Sequence, residues 1–407
     1  MRASYVAMVI GFGCGGHSPA TTNDADALTS TMKAAPSLFD QLLSDVAAAP
    51  TAQARQAKVD TFLATVPQSP YISGTTVVFL SVGAASVSSD LNNWSSAKKA
   101  AMSQVGDTSL WYRVFTSVAT DTRCDYKLIK QGIWQTDPRN PHRSAGIDND
   151  NSELRMPLYV PSRALDYHDD VAHGYLADLT SDLPTDNPHQ LWVYFPPGHF
   201  TGAGPYDLLI VNDGADYKDK GLLPNVLDNL IAAGTIHPVV VVFVVPNDRN
   251  REYFGDCSGN CPGAIAGYLS YLVNDLVPFA QSHWKVSGDA AHHGIIGSSY
   301  GASIALRAAY EHPAVFGLVG AQSARVDQSA NGEFPALAGD YAKKVLPLSL
   351  YLDVGTINDL ESDDTAFAKA LSGAGYTRLS FAAYHDGHAW GNWRNRLAAL
   401  LTFLFPR

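Results

Sequence analysis

The pattern of hydrophobic and polar positions changes character twice along the chain. Residues 36–66 carry two short amphipathic helix patterns, "SLFDQLLSDVAAA" and "AKVDTFLATV". Residues 71–137 then switch to short stretches of β-branched and aromatic residues, such as "TTVVFLSV", "SLWYRVFTSV" and "CDYKLIK", which turn residues separate. Short strands at this spacing predict a small β-sandwich.

From about residue 157, strand-like apolar stretches alternate with helical ones. Stretches such as "VVVVFVV" are apolar on both faces, which is typical of a parallel strand covered by helices on both sides. The alternation predicts an α/β fold with a doubly wound, mostly parallel sheet, in which sites form at the C-terminal ends of the strands. We divide the chain into an N-terminal tether (1–35), a helical lead with a β-sandwich (36–150) and a catalytic α/β domain (151–407).

The N-terminus, "MRASYVAMVIGFGCGG", has a basic residue, a short apolar stretch and small residues around Cys14. This pattern resembles a bacterial lipoprotein signal and predicts export, with Cys14 as the lipidated residue. The expected location is periplasmic, outer-membrane-anchored or extracellular. A disordered cytosolic N-terminus is the alternative.

The remaining cysteines fit the same picture. Cys257 and Cys261 lie in "CSGNC", a tight glycine-containing loop that suits a short-range disulfide. Half of a metal site is the rival interpretation, but no second Cys or His pair with ligand spacing follows. Cys124 lies in a predicted strand and is expected to be a buried free thiol.

Composition removes some classes of function. The chain has 407 residues and a formal net charge of −11, which argues against a nucleic-acid partner. No apolar stretch approaches the roughly 18 residues of a spanning helix, so a lipid on Cys14 is the one membrane contact that we expect.

Two serines stand between two glycines in Gly297-Ser298-Ser299-Tyr300-Gly301, which fits G-x-S-x-G with Ser299 at its centre. A predicted strand precedes the motif and a predicted helix follows it, as a nucleophile elbow requires. Such a turn strains the backbone and displays the serine hydroxyl, and the flanking glycines avoid collisions. Ser298 is one residue out of register. A Gly/Ser turn without chemistry is the alternative.

A serine needs a base, and the expected chain order is Ser, acid, His. "YHDGHAWGNWR" offers His385 at a strand end and His388 beyond a turn, just before the last helix. His388 is the favoured base, because a loop can bring it over Ser299.

The acid is expected in the loop after the strand "LPLSLYLDVG". Asp359 is the preferred choice, since it can accept the Nδ1 proton of a histidine and hold its tautomer. The competing candidates are Asp353, Asn358, Glu361 and Asp363.

The oxyanion hole needs backbone N–H donors. We expect one from Tyr300 and the other from the Asp-Gly turn that follows "LLIVN", at Gly214 or Ala215. A further charged group, Arg249, Arg251 and Glu252, follows the longest apolar strand. It is expected either to bind substrate or to form a structural ion-pair cluster.

Taken together, "LWVYFPPGH", "IVNDGADY", "NDRNREY", "GSSYGASIAL" and "GHAWGNW" resemble, in order, the putative esterase family of α/β-hydrolases, which includes esterase D and the enterochelin esterases. Upstream segments such as "GDTSLWYRVF" and "WQTDPRNP" resemble the early-set β-sandwich of enterochelin-esterase-like proteins. The resemblance covers about residues 55–407. It implies that His388 is the catalytic histidine, whereas Asn358 stands where an acid is common, so the acid stays open.

The leading hypothesis is a serine carboxylic-ester hydrolase that forms an acyl-enzyme and needs no metal or cofactor. The resemblance implies a siderophore trilactone as substrate, or acetyl or feruloyl esters on polysaccharide. Acyl transfer is an alternative that uses the same triad. A non-catalytic glycan-binding protein, with Trp94, Trp111 or Trp134 as binding surface, is the alternative outside enzymology.

Overall fold

The computed structural model describes residues 36–98, 100–146, 149–255, 263–327 and 333–407. Cys14, Cys257 and Cys261 lie outside these ranges, and so do the predicted lipidation and disulfide. Within these ranges, no helix combines the length and the apolar character needed to cross a bilayer.

Two helices open the described chain, α1 (Leu38–Ala48) and α2 (Ala52–Thr65). Ser37 and Asp40 form a reciprocal capping box at the start of α1, and the Thr51 side chain caps α2. The apolar faces of both helices pack on the first sheet of the sandwich, where Val78 and Leu80 meet them. The two predicted lead helices are therefore confirmed, and they cover one side of the N-terminal domain.

The N-terminal domain is a β-sandwich, as predicted. Its strands are β1 (Tyr71–Ser73), β2 (Thr76–Val82), β3 (Ser86–Ser89), β4 (Ser103–Gln104), β5 (Leu110–Phe115), β6 (Arg123–Lys130), β7 (Ile133–Gln135), β8 (Arg143–Ser144) and β9 (Asn151–Arg155). One sheet has the order β1-β2-β5-β4 and the other β3-β6-β9-β8, with β7 paired to β6. Strand β2 alternates: Val78 and Leu80 face the helices, whereas Val77 and Phe79 face the second sheet.

The predicted domain boundary at residue 150 is wrong. Strand β9 pairs antiparallel with β6, with Cys124 opposite Leu154, so the sandwich extends to Arg155. The sequence there is mostly polar because the buried Glu153 is bonded to Arg123 rather than packed among apolar groups. Cys124 is a buried free thiol, as expected, and burial raises its pKa.

The second domain is built on one eight-stranded sheet. Its strands are β10 (Tyr175–Asp178), β11 (Gln190–Phe195), β12 (Asp207–Val211), β13 (Val239–Val245), β14 (His293–Ser298), β15 (Leu318–Gln322), β16 (Ser349–Gly355) and β17 (Leu379–Tyr384). The order is β10-β11-β13-β12-β14-β15-β16-β17. Strand β11 pairs antiparallel with both β10 and β13, and the remaining neighbours pair parallel. This is the doubly wound, mostly parallel α/β-hydrolase architecture that the sequence predicts.

Helices cover both faces of this sheet. They are α3 (Gly214–Asp219), α4 (Leu223–Ala232), α5 (Ala264–Ser270), α6 (Val277–His283), α7 (Tyr300–Glu311), α8 (Glu333–Lys343), α9 (Glu361–Ala374) and α10 (Trp390–Leu404). Short π-helical segments occupy Asn250–Phe254 and Tyr271–Leu276. In β13, Val240 and Val242 join the core on one face, while Val241 and Phe243 join the core on the other. That two-sided burial explains the unbroken apolar stretch of this strand.

Candidate active site

The predicted elbow is present at the C-terminal end of β14. Ser299 follows the strand with φ 55° and ψ −124°, and α7 begins at the next residue. A non-glycine residue in this region of φ/ψ space carries roughly 1–3 kcal/mol of strain, which its surroundings must impose. The Ser299 N–H donates to the Gln322 carbonyl at 2.9 Å and ties the turn to β15. Ser298 is buried, so of the two serines Ser299 is the displayed one.

The glycines of the motif are required by close backbone approach. A Cβ on Gly297 would overlap the backbone of Gly301 where α7 begins. A Cβ on Gly301 would lie 2.8 Å from Asp213 Oδ2, in the loop after β12. The elbow therefore sits directly against its own helix on one side and the β12 loop on the other.

His388 lies between Ser299 and Asp359 and bonds both. Its Nε2 is 3.0 Å from Ser299 Oγ, and its Nδ1 is 2.7 Å from Asp359 Oδ1. With the proton on Nδ1, His388 donates to Asp359 and accepts from the Ser299 hydroxyl. The structure thus brings together the three residues that the sequence singles out. The His388 side chain is 25% exposed and that of Asp359 is fully buried, so solvent reaches the base but not the acid.

Asp359 is held by more than the histidine. Its Oδ2 accepts from Ser323 Oγ and from the Gly355 N–H, both at 2.7 Å. Burial raises the pKa of Asp359, but the hydrogen bond and charge of His388, followed by the Ser323 and Gly355 bonds, outweigh burial and hold the pKa below its usual value. The carboxylate therefore stays ionised at neutral pH.

The competing acids and the competing histidine lie elsewhere. Asp353 is buried within β16 against Gln322, and burial raises its pKa to about 7. His385 bonds Asp121 of the sandwich at 2.7 Å and is half-exposed. Asn358 and Glu361 are exposed, and Asp363 is half-buried in the first turn of α9. Of these candidates, Asp359 is the one bonded to His388.

The expected oxyanion-hole donors lie in the first turns of two helices, with Gly214 and Ala215 in α3 and Tyr300 in α7. First-turn N–H groups have no acceptor within their own helix. Asn212 Nδ2 donates to the Gly301 carbonyl at 3.0 Å and holds the β12 loop against α7. This arrangement keeps all three residues as candidate donors.

The three charged residues after β13 have different surroundings. Arg249 forms a two-point ion pair with Asp213, both bonds at 2.8 Å, so it is a structural partner of the β12 loop. For Glu252 the contacts favour the structural alternative. Its carboxylate is buried between His189 Nε2 and the Asn247 N–H, because a buried charge must be satisfied within the fold. Arg251 is exposed and stays a candidate for substrate contact.

The hydrogen bonds that support Asp359 were not predicted from the sequence. Ser323 donates to Asp359 and accepts from Trp393 Nε1 at 3.0 Å. The Trp393 ring meets the His388 ring edge-on, with centroids 5.0 Å apart. The available signal is the position of Ser323: a small polar residue just after a buried strand, at the same sheet edge as Ser299.

The tryptophans named for glycan binding are not alike. Trp111 packs against the core of the sandwich. Trp94 and Trp134 stack on each other with centroids 6.4 Å apart, and Trp134 is 44% exposed. Within the described ranges, no group of three or more His, Cys, Asp or Glu side chains is arranged to hold a metal ion.

The chain matches the model of one protein family. The model of the family described as "Putative esterase" matches residues 185–404, more than half of the chain. The chain belongs to the putative esterase family. Ester hydrolysis is the activity for which this family is named, and the elbow, His388 and Asp359 all lie within the matched range.

Solved structures share the fold of this esterase family member. A ferric enterobactin esterase from Salmonella typhimurium has a TM-score of 0.67 at 16% identity and covers 85% of this chain and 98% of its own. The enterobactin esterase FES from Shigella flexneri, in the presence of enterobactin, has a TM-score of 0.64 at 18% identity and covers 81% and 92%. At this coverage the similarity includes the sandwich as well as the α/β domain.

Two Bacillus subtilis proteins are similar in sequence. YbbA is 25% identical over 138 residues, which are 32% of this chain and 54% of YbbA. YjcH is 24% identical over 217 residues, which are 50% of this chain and 86% of YjcH. The chain thus spans about half the length of the first relative and most of the second.

Proposed function

We propose that this protein is a serine carboxylic-ester hydrolase that works through an acyl-enzyme on Ser299. The observation that carries the proposal is the unbroken relay from Asp359 through His388 to Ser299, with both hydrogen bonds at 3.0 Å or less. Family membership favours the same chemistry.

Acylation follows from this arrangement. The Ser299 oxygen attacks the ester carbonyl carbon while its proton passes to His388 Nε2. Asp359 stabilises the imidazolium that forms and holds its tautomer. The negative oxygen of the tetrahedral intermediate is placed against the N–H groups of Tyr300 and of Gly214 or Ala215. The bond to the leaving alcohol then breaks, and His388 returns the proton to that oxygen.

Deacylation repeats these steps with water. His388 removes a proton from water, the hydroxide attacks the acyl carbon, and the bond to Ser299 breaks as the serine regains its proton. An alcohol in place of water would give acyl transfer. Product analysis with added alcohol acceptors separates the two outcomes.

For the substrate, we propose a siderophore-type lactone or a related ester with an aromatic acyl part. The two-domain likeness to the enterobactin esterases of Salmonella and Shigella supports this class. The surroundings of the nucleophile fit it as well, because the Tyr300 ring stacks on Phe254 with centroids 4.4 Å apart. An aromatic surface beside Ser299 suits an aryl group.

The test is a hydrolysis panel in which wild type and Ser299→Ala are compared on each substrate. The panel contains a chromogenic short-chain ester, apo and ferric catecholate trilactones, feruloyl sugars and acetylated xylan, with products separated by chromatography. We expect cleavage of the trilactones well above that of the polysaccharide esters. Equal rates for wild type and Ser299→Ala would overturn the serine mechanism, whereas preference for xylan or feruloyl sugars would overturn the substrate alone.

Export and lipidation at Cys14, and a disulfide between Cys257 and Cys261, are proposed from the sequence pattern. Intact mass of the protein isolated from its native host tests both. A diacylglyceryl mass increment on a chain that begins at Cys14 supports lipidation. A loss of about two mass units relative to the reduced chain supports the bridge.

A further inference from the structure

The loop that carries His388 lies against the β-sandwich rather than against solvent. Arg123, the first residue of β6, is fully buried, and its Nη1 donates to Asp386 Oδ1 at 3.2 Å. Asp386 precedes His388 by two residues. The Arg123 backbone N–H also donates to the His385 carbonyl at 2.9 Å. One sandwich residue thus bonds this short loop at two points.

Arg123 is itself immobilised from within the sandwich. Its Nε donates to Glu153 Oε1 at 2.6 Å, and its Nη2 bonds Asp125. Glu153 is bonded in turn to Arg155 at 2.5 Å. All three nitrogens of the planar guanidinium are therefore engaged, and the direction in which Nη1 points at Asp386 is fixed.

Two glycines of the α/β domain show how closely the domains meet. A Cβ on Gly387 would overlap the Asp90 carboxylate, and a Cβ on Gly391 would overlap the Arg123 guanidinium. Gly387 and Gly391 flank His388 on either side. At these two positions, one in the loop before α10 and one in its first turn, the backbone therefore lies directly against charged side chains of the sandwich.

The loop that carries Asp359 also contacts the sandwich. Ile357, two residues before Asp359, packs against the apolar core of the sandwich. Its N–H donates to the Asp386 carbonyl at 3.1 Å, so the two loops are also bonded to each other. The acid and the base both lie on segments that the sandwich contacts.

We propose that Arg123 is a positioning residue for the reaction, which holds the His388 loop through Asp386 and makes the sandwich domain a requirement for turnover. The proposal rests on the proposed function, since it assigns a purpose to the placement of His388. A fully buried arginine with three carboxylate partners is costly to desolvate, and apolar residues would stabilise a domain contact at least as well. What Arg123 provides instead is a donor in a fixed position, which holds the loop of His388 in place. This matters for the reaction because a displacement of about 1 Å at a catalytic group can cost ~100-fold in rate.

The test uses the full chain with Asp386→Asn, which keeps the shape of the side chain and weakens the bond to Arg123. We expect kcat on a chromogenic ester to fall about 10- to 100-fold with KM changed less than about threefold, because the change acts on the base and not on substrate binding. A second readout needs no substrate: the low-field proton resonance of His388 Nδ1–H, bonded to Asp359, should broaden or shift upfield in the variant.

The matched control is Asp137→Asn. Asp137 is as buried as Asp386, but it lies within the sandwich. It accepts a hydrogen bond from the Tyr126 hydroxyl at 2.9 Å, which is a contact inside that domain. At equal folded fraction, this variant should keep the wild-type kcat and the wild-type resonance. Asp121→Asn, which breaks the exposed contact with His385, should also leave both unchanged.

Two results would overturn the proposal: wild-type kcat and an unshifted resonance in Asp386→Asn, or an equal loss of kcat in Asp137→Asn. Failure of the proposed function has a different signature. In that case wild type cleaves none of the esters, while the resonance still reports whether Arg123 and Asp386 position His388.

Discussion

The two halves of the candidate active site are built in different ways. The Ser299 turn depends on contacts inside the α/β domain alone: close packing of Gly297 on Gly301, and a hydrogen bond to Gln322. The loops of His388 and Asp359 depend on the sandwich, through Arg123, Asp90 and the core around Ile357. The nucleophile is therefore positioned by contacts within one domain, whereas the base and the acid are positioned by contact between the two domains.

Removing the nucleophile gives the largest expected effect. Ser299→Ala should lower kcat/KM on a chromogenic ester by roughly 10⁴- to 10⁶-fold, because no other group can form the acyl-enzyme. Ser298→Ala is the matched control, one residue away in the same motif, and should keep most of the activity. A loss confined to Ser298→Ala would mean that the register of the elbow is wrong.

Removing the charge of the acid should give the second largest loss of activity. Asp359→Asn should lower kcat by about 10³- to 10⁴-fold, since the amide no longer favours the His388 tautomer with the proton on Nδ1. Steady-state kinetics measure it, with Asp363→Asn as the neighbouring control. Activity that survives in Asp359→Asn and disappears in Asp363→Asn would assign the acid to the other residue.

A substitution at the contact between the domains should lower kcat less than the loss of the acid does, and it should act on the base but not on the nucleophile turn. Gly387→Ala places a methyl group into the Asp90 carboxylate and should lower kcat about 100-fold. Labelling of Ser299 by a reagent that needs His388 as base should slow in parallel, while the fold measured by circular dichroism is retained. Full activity in Gly387→Ala would show that this contact does not position the base.

The buried charges at the domain contact predict a pH dependence of stability. Burial raises the pKa of Asp386 to about 6, against the lowering effect of Arg123. A folded-state pKa above the unfolded value means that ionisation opposes folding, so this contribution to stability is lost as pH rises through about 4 to 6. Relative to Asp386→Asn, wild type should therefore lose on the order of 2 kcal/mol of unfolding free energy between about pH 4.5 and about pH 7.

Urea unfolding of the two proteins at both pH values measures that difference. Asp90, whose pKa burial raises to about 7, is present in both proteins and is common to the comparison. A difference in unfolding free energy that stays constant between the two pH values would contradict the account.

The smallest predicted effect concerns the support of the acid. Ser323→Ala removes one hydrogen bond from Asp359 and the acceptor of Trp393 Nε1. We expect a three- to tenfold fall in kcat, in line with about 1 kcal/mol for one hydrogen bond. Ser372→Ala, on the exposed face of α9, is the control. A loss as large as that of Asp359→Asn would mean that Ser323 has a larger role than orientation.

The nucleophile and the base were predictable because their signals are local. A glycine-flanked serine between a strand and a helix, and a histidine just before the last helix, can be recognised within a few residues. Strand β9 was missed for the opposite reason: its buried residues are polar and satisfied by Arg123, so it lacks apolar alternation. The role of Glu252 stayed open at the level of sequence because its partner His189 lies 63 residues away.

The contact between Arg123 and Asp386 could not have been predicted from the sequence. The two residues are 263 positions apart and belong to different domains, so no periodicity or spacing joins them. Both appear in the sequence as ordinary charged residues at strand ends. Only the meeting of the two domains makes them partners.

The most direct measurement is the site of covalent acylation. Wild type is quenched in acid within milliseconds of mixing with an activated ester, and the modified peptide is identified by mass spectrometry. We predict one acyl group on Ser299, absent from Ser299→Ala and accumulating more slowly in Asp386→Asn. Acylation of another residue, or turnover in Ser299→Ala at the wild-type rate, would contradict the account.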